Sequence, residues 1–146
     1  QPYVYWKRMY DLSCLNFSLK KYTEAVRLME RIGKLKAEKD RLNLGRKIIT
    51  ILCEIEMEKF DQSDKSIEAL RKYLQRNKII GQMGVPYKNV VRILIKLSNK
   101  SYLFNDLHET KLQLPENSNI DKGVNELQEI QLFTQWLDSR INNKVA

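Results

Sequence analysis

The stretch LSCLNFSLKKYTEA, residues 12–25, decides the fold. Its first half places large apolar side chains three or four residues apart, which is the spacing of one face of an α-helix. Lys20 and Lys21 interrupt that pattern, and Thr23 is a residue type that commonly caps the start of a helix. The sequence therefore predicts one helix, a tight turn and a second helix that places the small Ala25 near the crossing point.

Helical spacing continues through most of the 146 residues. Only five glycines and three prolines occur, which favours helices over a many-stranded β fold. Pro115 and the polar residues after it are typical of a loop, so residues 104–121 are predicted to be irregular. The prediction is an all-α fold in a single domain, residues 1–146. Its elements are two helix pairs and two further helices, at about residues 3–36, 40–77, 86–102 and 122–142.

The residues that carry catalysis and metal binding are sparse. His108 is the one histidine, so any Ser-His-Asp or Cys-His arrangement would have to use it. Cys14 and Cys53 lie in apolar helical stretches and are predicted to be buried free thiols, with a disulfide between them left open. The glycines are scattered and form no phosphate-binding loop. We therefore predict no catalytic residue, no metal and no cofactor, and we expect that the chain is not an enzyme.

The net charge is +8, and basic side chains concentrate around the predicted connection between the two helix pairs. A basic surface can attract an acidic protein or nucleic acid, and it can also be an ordinary solvated coat. No aromatic residue interleaves with the basic side chains between Thr23 and Phe60, which counts against single-stranded nucleic acid. The basic cluster consists of Arg31, Lys34, Lys36, Lys39, Arg41, Arg46 and Lys47.

The first helix pair resembles a tetratricopeptide repeat. The family's motif has a Leu early in its first helix, an aromatic after the turn and an Ala three residues later, and Leu12, Tyr22 and Ala25 match it. Met9 and Met29 fill two further large apolar positions. The apolar positions of the first predicted helix are Met9, Leu12, Leu15 and Leu19.

The chain departs from the family's motif at several positions. In the first pair Ser13 stands at the small Gly, Asn16 replaces an aromatic and Lys20 replaces the Gly of the turn. The second pair matches through the post-turn aromatic alone and departs at the early Leu and the small Ala. Those three positions hold Phe60, Thr50 and Ser63, respectively. The later part of the chain is similar to the closing region of uncharacterised bacterial proteins of this type.

The resemblance implies a right-handed α-solenoid of stacked antiparallel helix pairs, whose first helices line a groove that binds a peptide or a partner protein. The second pair would present a set too apolar for an ordinary solvated groove, which the C-terminal helix would then cover. That set is Gly45, Ile48, Leu52, Ile55 and Glu56. In the first pair, Phe17 has burial in the core as an alternative. The partner-binding residues implied for the first pair are Lys7, Tyr10, Cys14, Phe17 and Ser18.

The sequence thus predicts a non-enzymatic protein-interaction scaffold. A nucleic-acid-binding helical array and a helical regulatory subunit with a small ligand are the alternatives. Tyr3, Trp6 and Tyr10 fall on one helix face and are expected to pack on an upstream repeat, with a binding patch for a partner as the alternative. The chain begins at Gln1 without an initiator Met and is expected to be a fragment of a longer protein. No run approaches the roughly 18 apolar residues that cross a bilayer. The compartment is left open, with the cytoplasm favoured.

Overall fold

A computed structural model describes residues 2–32, 40–76, 85–97 and 128–145. Within these residues the secondary structure consists of six α-helices without a strand, which confirms the all-α prediction for the described part of the chain. The predicted irregular segment 104–121 and His108 lie outside the described residues. The helices are α1 (Pro2–Ser18), α2 (Tyr22–Ile32), α3 (Asp40–Glu56), α4 (Phe60–Arg76), α5 (Val85–Leu97) and α6 (Gln128–Val145).

The turn between α1 and α2 is closed by two backbone hydrogen bonds. The Lys20 N–H donates to the Phe17 carbonyl at 2.9 Å, and the Lys21 N–H donates to the Asn16 carbonyl at 2.8 Å. Lys20 has a φ of 63°, in the left-handed region. This combination is the Schellman motif, which satisfies the last carbonyls of a helix and usually places Gly at the left-handed position.

The turn between α3 and α4 has the same geometry, with Glu58 in the place of Lys20 and a φ of 60°. The Glu58 N–H donates to the Ile55 carbonyl at 3.0 Å, and the Lys59 N–H donates to the Glu54 carbonyl at 2.8 Å. We call the separation along the chain from Lys20 to Glu58 the repeat offset. Each donor and acceptor of the second turn corresponds at this offset to one in the first turn. The backbone therefore repeats itself, although neither left-handed position holds a glycine.

Contacts divide the chain into two compact units, Gln1–Ser66 and Ile67–Ala146, with the division inside α4. In the first unit α1 packs on α2 and α3, and α2 packs on α3. The Ser13 hydroxyl donates to the Ala25 carbonyl at 2.7 Å, and both residues are fully buried. The small Ala25 thus lies where α1 and α2 approach closely, as the sequence predicts.

The buried positions of α1 and α3 also correspond at the repeat offset. The buried face of α1 holds Tyr10, Ser13, Cys14 and Phe17, which correspond to four buried apolar residues of α3. Unlike the α3 residues, Ser13 has a buried hydroxyl, and its hydrogen bond to the Ala25 carbonyl satisfies that group. The α3 residues are Ile48, Ile51, Leu52 and Ile55.

In the second unit α5 packs against α6. The Tyr87 hydroxyl donates to Glu129 Oε2, and both side chains are buried. Buried polar groups need hydrogen-bond partners, and this bond supplies one to each of the two side chains. The other buried apolar residues of α5 and α6 are Val90, Val91, Ile93, Leu94, Ile130, Phe133, Trp136 and Leu137.

Candidate interaction surfaces

The predicted partner-binding residues of α1 lie in two environments. Tyr10, Cys14 and Phe17 are buried, and the Phe17 ring lies 5.7 Å from the Tyr22 ring in α2. Lys7 is half-buried and Ser18 is exposed. The structure thus places Phe17 in the core, which was its alternative position, and it leaves only Lys7 and Ser18 with side chains that a partner reaches. Partner binding by this set stays a prediction.

Lys7 is also engaged within its own helix. Its ammonium lies 2.7 Å from Asp11 Oδ1, one helical turn away, and 6.0 Å from the centre of the Tyr10 ring. An exposed pair of this kind contributes about 0–1 kcal/mol to stability, so a partner could displace it at little cost.

The corresponding set on α3 is covered as well. Gly45, Ile48, Leu52 and Ile55 are buried, and Glu56 is half-buried. Their burial accords with the expectation that this set is too apolar for a solvated groove. The cover by a C-terminal helix stays a prediction.

Three exposed leucines lie on another face of α1 and just after its end. Leu12, Leu15 and Leu19 are 48%, 54% and 56% exposed, and their steps of three and four place them on one face. We call these three residues the α1 leucine stripe. Sequence spacing predicts these three residues as apolar positions of the helix. In the structure, however, the buried face of α1 is the neighbouring one, which holds Tyr10, Cys14 and Phe17.

The N-terminal aromatics do not share one environment. The Trp6 side chain is half-buried and packs edge-on against Tyr5 with ring centres 4.8 Å apart, whereas Tyr10 is buried. Tyr3 has its side chain outside the described residues. The predicted packing of this aromatic face on an upstream repeat stays a prediction, and Tyr10 already belongs to the core of the first unit.

The basic cluster lies largely outside the described side chains. Arg31 is exposed, and Arg46 and Lys47 are half-buried on α3. The side chains of Lys34, Lys36, Lys39 and Arg41 are not among the described ones. A continuous basic face is therefore not part of the described surface.

Burial raises the pKa of two ionisable groups of α3. Cys14 and Cys53 are free and buried, which confirms the prediction of buried free thiols. Burial raises the pKa of Cys53 to about 12, and the negative charges of Glu54, Cys14 and Glu56 add to this effect. Such a thiol stays protonated at neutral pH and is a poor nucleophile or metal ligand.

The carboxyl of Glu54 is the second affected group. Burial raises its pKa, while a hydrogen bond from Ser66 and the charge of Lys59 oppose that effect. Glu54 Oε1 and Thr50 Oγ1 are buried without a hydrogen-bond partner among the described residues. The equivalent position on α1 is the neutral Asn16, whose side-chain amide donates to the Leu12 carbonyl at 2.9 Å.

Residues 2–32, 40–76, 85–97 and 128–145 contain no group of three or more His, Cys, Asp or Glu side chains that could hold a metal ion. No helix in the described part of the chain is both long and apolar enough to cross a membrane. No family model, curated protein or solved structure matches this chain.

Proposed function

We propose that this chain is a non-enzymatic protein-interaction scaffold, built as a tetratricopeptide-like right-handed α-solenoid of antiparallel helix pairs. The observation that carries the proposal is the repetition of the left-handed turn at Lys20 and again at Glu58, with the same hydrogen bonds in both turns. Helical repeats bury their apolar faces on their neighbours, so successive pairs form an extended surface that suits binding another chain.

The contacts of the first unit support this architecture. The turn at Lys20 reverses the chain, so Ser13 of α1 and Ala25 of α2 meet at the crossing, at the two small positions of the tetratricopeptide motif. The Thr23 hydroxyl, near the start of α2, donates to Met57 Sδ just after the end of α3 at 3.8 Å. Helix α2 thus contacts both its own partner α1 and the first helix of the next pair, as expected for neighbouring pairs of a helical-repeat array.

Binding to defined libraries tests the function. The full chain is immobilised and used to select from a random 16-residue peptide display library, and selected peptides are measured by calorimetry at 50 and 200 mM salt. We expect peptides that bind with dissociation constants below about 100 μM, which corresponds to roughly 5.5 kcal/mol, with little change between the two salt concentrations.

A parallel measurement addresses the nucleic-acid alternative. Fluorescent 20-nucleotide RNA and duplex DNA are titrated with the same protein preparation. Selection of no peptide, together with nucleic-acid binding that weakens by about 10³-fold over that salt range, would overturn the scaffold in favour of phosphate recognition.

A further inference from the structure

The α1 leucine stripe is the least expected surface of the first unit. Three leucines on one helix face leave apolar area in water, and each fully buried leucine is favoured by about 1.5–3 kcal/mol over an exposed one. Tyr5 extends the apolar surface toward the start of α1, because it lies two helical turns before Leu12 on the same face and is also exposed.

The residues that correspond to the α1 leucine stripe at the repeat offset lie on and just after α3, and there the equivalent face is less exposed. Leu12, Leu15 and Leu19 correspond to Thr50, Cys53 and Met57 on and just after α3. Cys53 is 0% exposed, and Thr50 and Met57 are half-buried.

Helix α2 supplies part of that cover. Thr23 contacts Met57 directly, and α2 packs along α3. At Met57, therefore, the face that is open on α1 is occupied on α3 by the second helix of the preceding pair.

We propose that the α1 leucine stripe is the docking site for an amphipathic α-helix of a partner protein, which lies on α1 as α2 lies on α3. This inference rests on the proposed function and assigns it a surface. An apolar helix face inserted between the leucines would remove them from water, and recognition of a helix by its apolar anchors at helical spacing is an established binding mode.

The charges beside the stripe define the partner further. Lys20 and Lys21 are exposed next to Leu19, and Arg8 is exposed one turn before Leu12. At the equivalent turn of the second pair the residues are Glu58 and Lys59, so the α1 site is the more basic of the two.

The direction of the partner helix on α1 determines which of its residues would lie beside Lys20 and Lys21. In the first unit the N-terminal end of α2 lies beside the C-terminal end of α3, as the Thr23–Met57 contact shows. A partner helix in the same direction would set its first turn beside Lys20 and Lys21. Acidic residues are favourable in the first turn of a helix, and here they would also meet two lysines.

A helical probe peptide tests the site. The probe is a hydrocarbon-stapled, fluorescein-labelled peptide with the sequence of Tyr22–Ile32 preceded by two aspartates, and a second probe carries two serines there instead. Fluorescence anisotropy is measured with the full chain. We expect saturable binding of the acidic probe, tighter than that of the serine probe by at least three-fold, with the difference lost in Lys21→Glu.

Matched variants locate the binding. Leu15→Asp and the neutral Leu15→Asn should each weaken the acidic probe at least ten-fold, while Ala69→Asp on the exposed surface of α4 should leave binding within two-fold of wild type. Circular dichroism and thermal melts confirm that each variant is folded. Absence of probe binding to wild type, or equal binding to Leu15→Asn and wild type, would overturn the site.

A different molecule bound at the α1 leucine stripe would give a different experimental result. Sedimentation equilibrium that shows a wild-type dimer and a Leu15→Asp monomer would replace the partner helix by a second copy of this chain. Flotation with phosphatidylcholine–phosphatidylserine vesicles that is lost in Leu15→Asp would replace it by a membrane surface. If display-selected peptides bind wild type and Leu15→Asp equally, the scaffold function stands and this docking site is overturned.

Discussion

Helices α1 and α3 end in equivalent turns, yet their faces meet different surroundings. Both turns have a left-handed non-glycine residue and the same pair of backbone hydrogen bonds. The face of α3 that includes Cys53 is covered, whereas the equivalent face of α1, centred on Leu15, is open. The turn geometry is thus repeated, but the environment of the equivalent helix positions is not.

The residues at the two small positions of the motif also differ between the pairs. In the first pair the Ser13 hydroxyl bonds across to α2, at the Ala25 carbonyl. At the equivalent positions the second pair has Ile51 and Ser63, and the Ser63 hydroxyl donates back to the Phe60 carbonyl of its own helix at 3.0 Å. The two turns therefore have the same backbone geometry without a common side-chain hydrogen bond.

The largest expected effect concerns the equivalent buried residues Phe17 and Ile55. Because both are core side chains, Phe17→Ala should lower the free energy of unfolding by about 3–5 kcal/mol and Ile55→Ala by about 2–5 kcal/mol. Leu15→Ala, close to Phe17 in the chain but exposed, should stay within about 0.5 kcal/mol of wild type. Urea denaturation followed by circular dichroism measures all three. A Phe17→Ala cost close to that of Leu15→Ala would mean that the two pairs do not share a buried face.

A moderate effect is expected at the two left-handed positions. A side chain at positive φ costs about 1–2 kcal/mol, and replacement by glycine removes this cost. Part of the resulting gain in stability is lost, because glycine has greater conformational freedom in the unfolded chain. We therefore expect Lys20→Gly and Glu58→Gly each to raise the free energy of unfolding by about 0.5–1 kcal/mol, as φ values of 63° and 60° imply. Thermal melts of both variants give the comparison.

The adjacent Lys21→Gly is the control for these substitutions. Lys21 lies outside the positive-φ positions, so glycine there should bring no gain. A gain at Lys20 without one at Glu58 would break the equivalence of the two turns.

The smallest expected effect is a pH dependence that arises from Glu54 in the second pair. The raised pKa of Glu54 means that the folded state favours its protonated form, so its stabilising contribution is present below the ordinary glutamate pKa of 4.5 and is lost as pH rises above it. Wild type should therefore lose more stability between pH 4.5 and pH 7 than Glu54→Gln. The effect is small because the side chain is partly solvated and Ser66 opposes the shift.

Denaturation at the two pH values checks the Glu54 prediction. Glu24→Gln, which removes an exposed carboxylate 2.7 Å from Arg27, is the control for a charge change on the surface. Equal pH dependence of wild type and Glu54→Gln would contradict the prediction.

Much of the helical framework follows from residue spacing. Leu44, Ile48, Leu52 and Ile55 recur at helical intervals, and the sequence predicts a helix that starts near Asp40, where α3 begins. The run Ile48–Leu52, rich in β-branched residues, is helical because its apolar pattern is longer than a strand. Ala25 was expected at the crossing because a small residue permits a close approach, and it lies there.

The surface of α1 could not be derived in the same way. The helix carries apolar residues on two adjoining faces, one with Met9, Tyr10, Cys14 and Phe17 and one with the leucine stripe. Periodicity shows that each face is apolar but not which of them meets α2 and α3. The choice depends on tertiary packing, in particular on the Ser13–Ala25 contact, which turns Tyr10 and Phe17 inward and leaves Leu12 and Leu15 outside.

The inaccessibility of the two native thiols has a practical consequence. Cys14 and Cys53 are buried, and the raised pKa of Cys53 leaves almost no thiolate at neutral pH. Maleimide and methanethiosulfonate reagents should therefore leave both untouched in the native protein. A cysteine introduced at an exposed position such as Ala69 or Ser139 would then take a fluorophore or nitroxide selectively, without first rebuilding the interior to be cysteine-free.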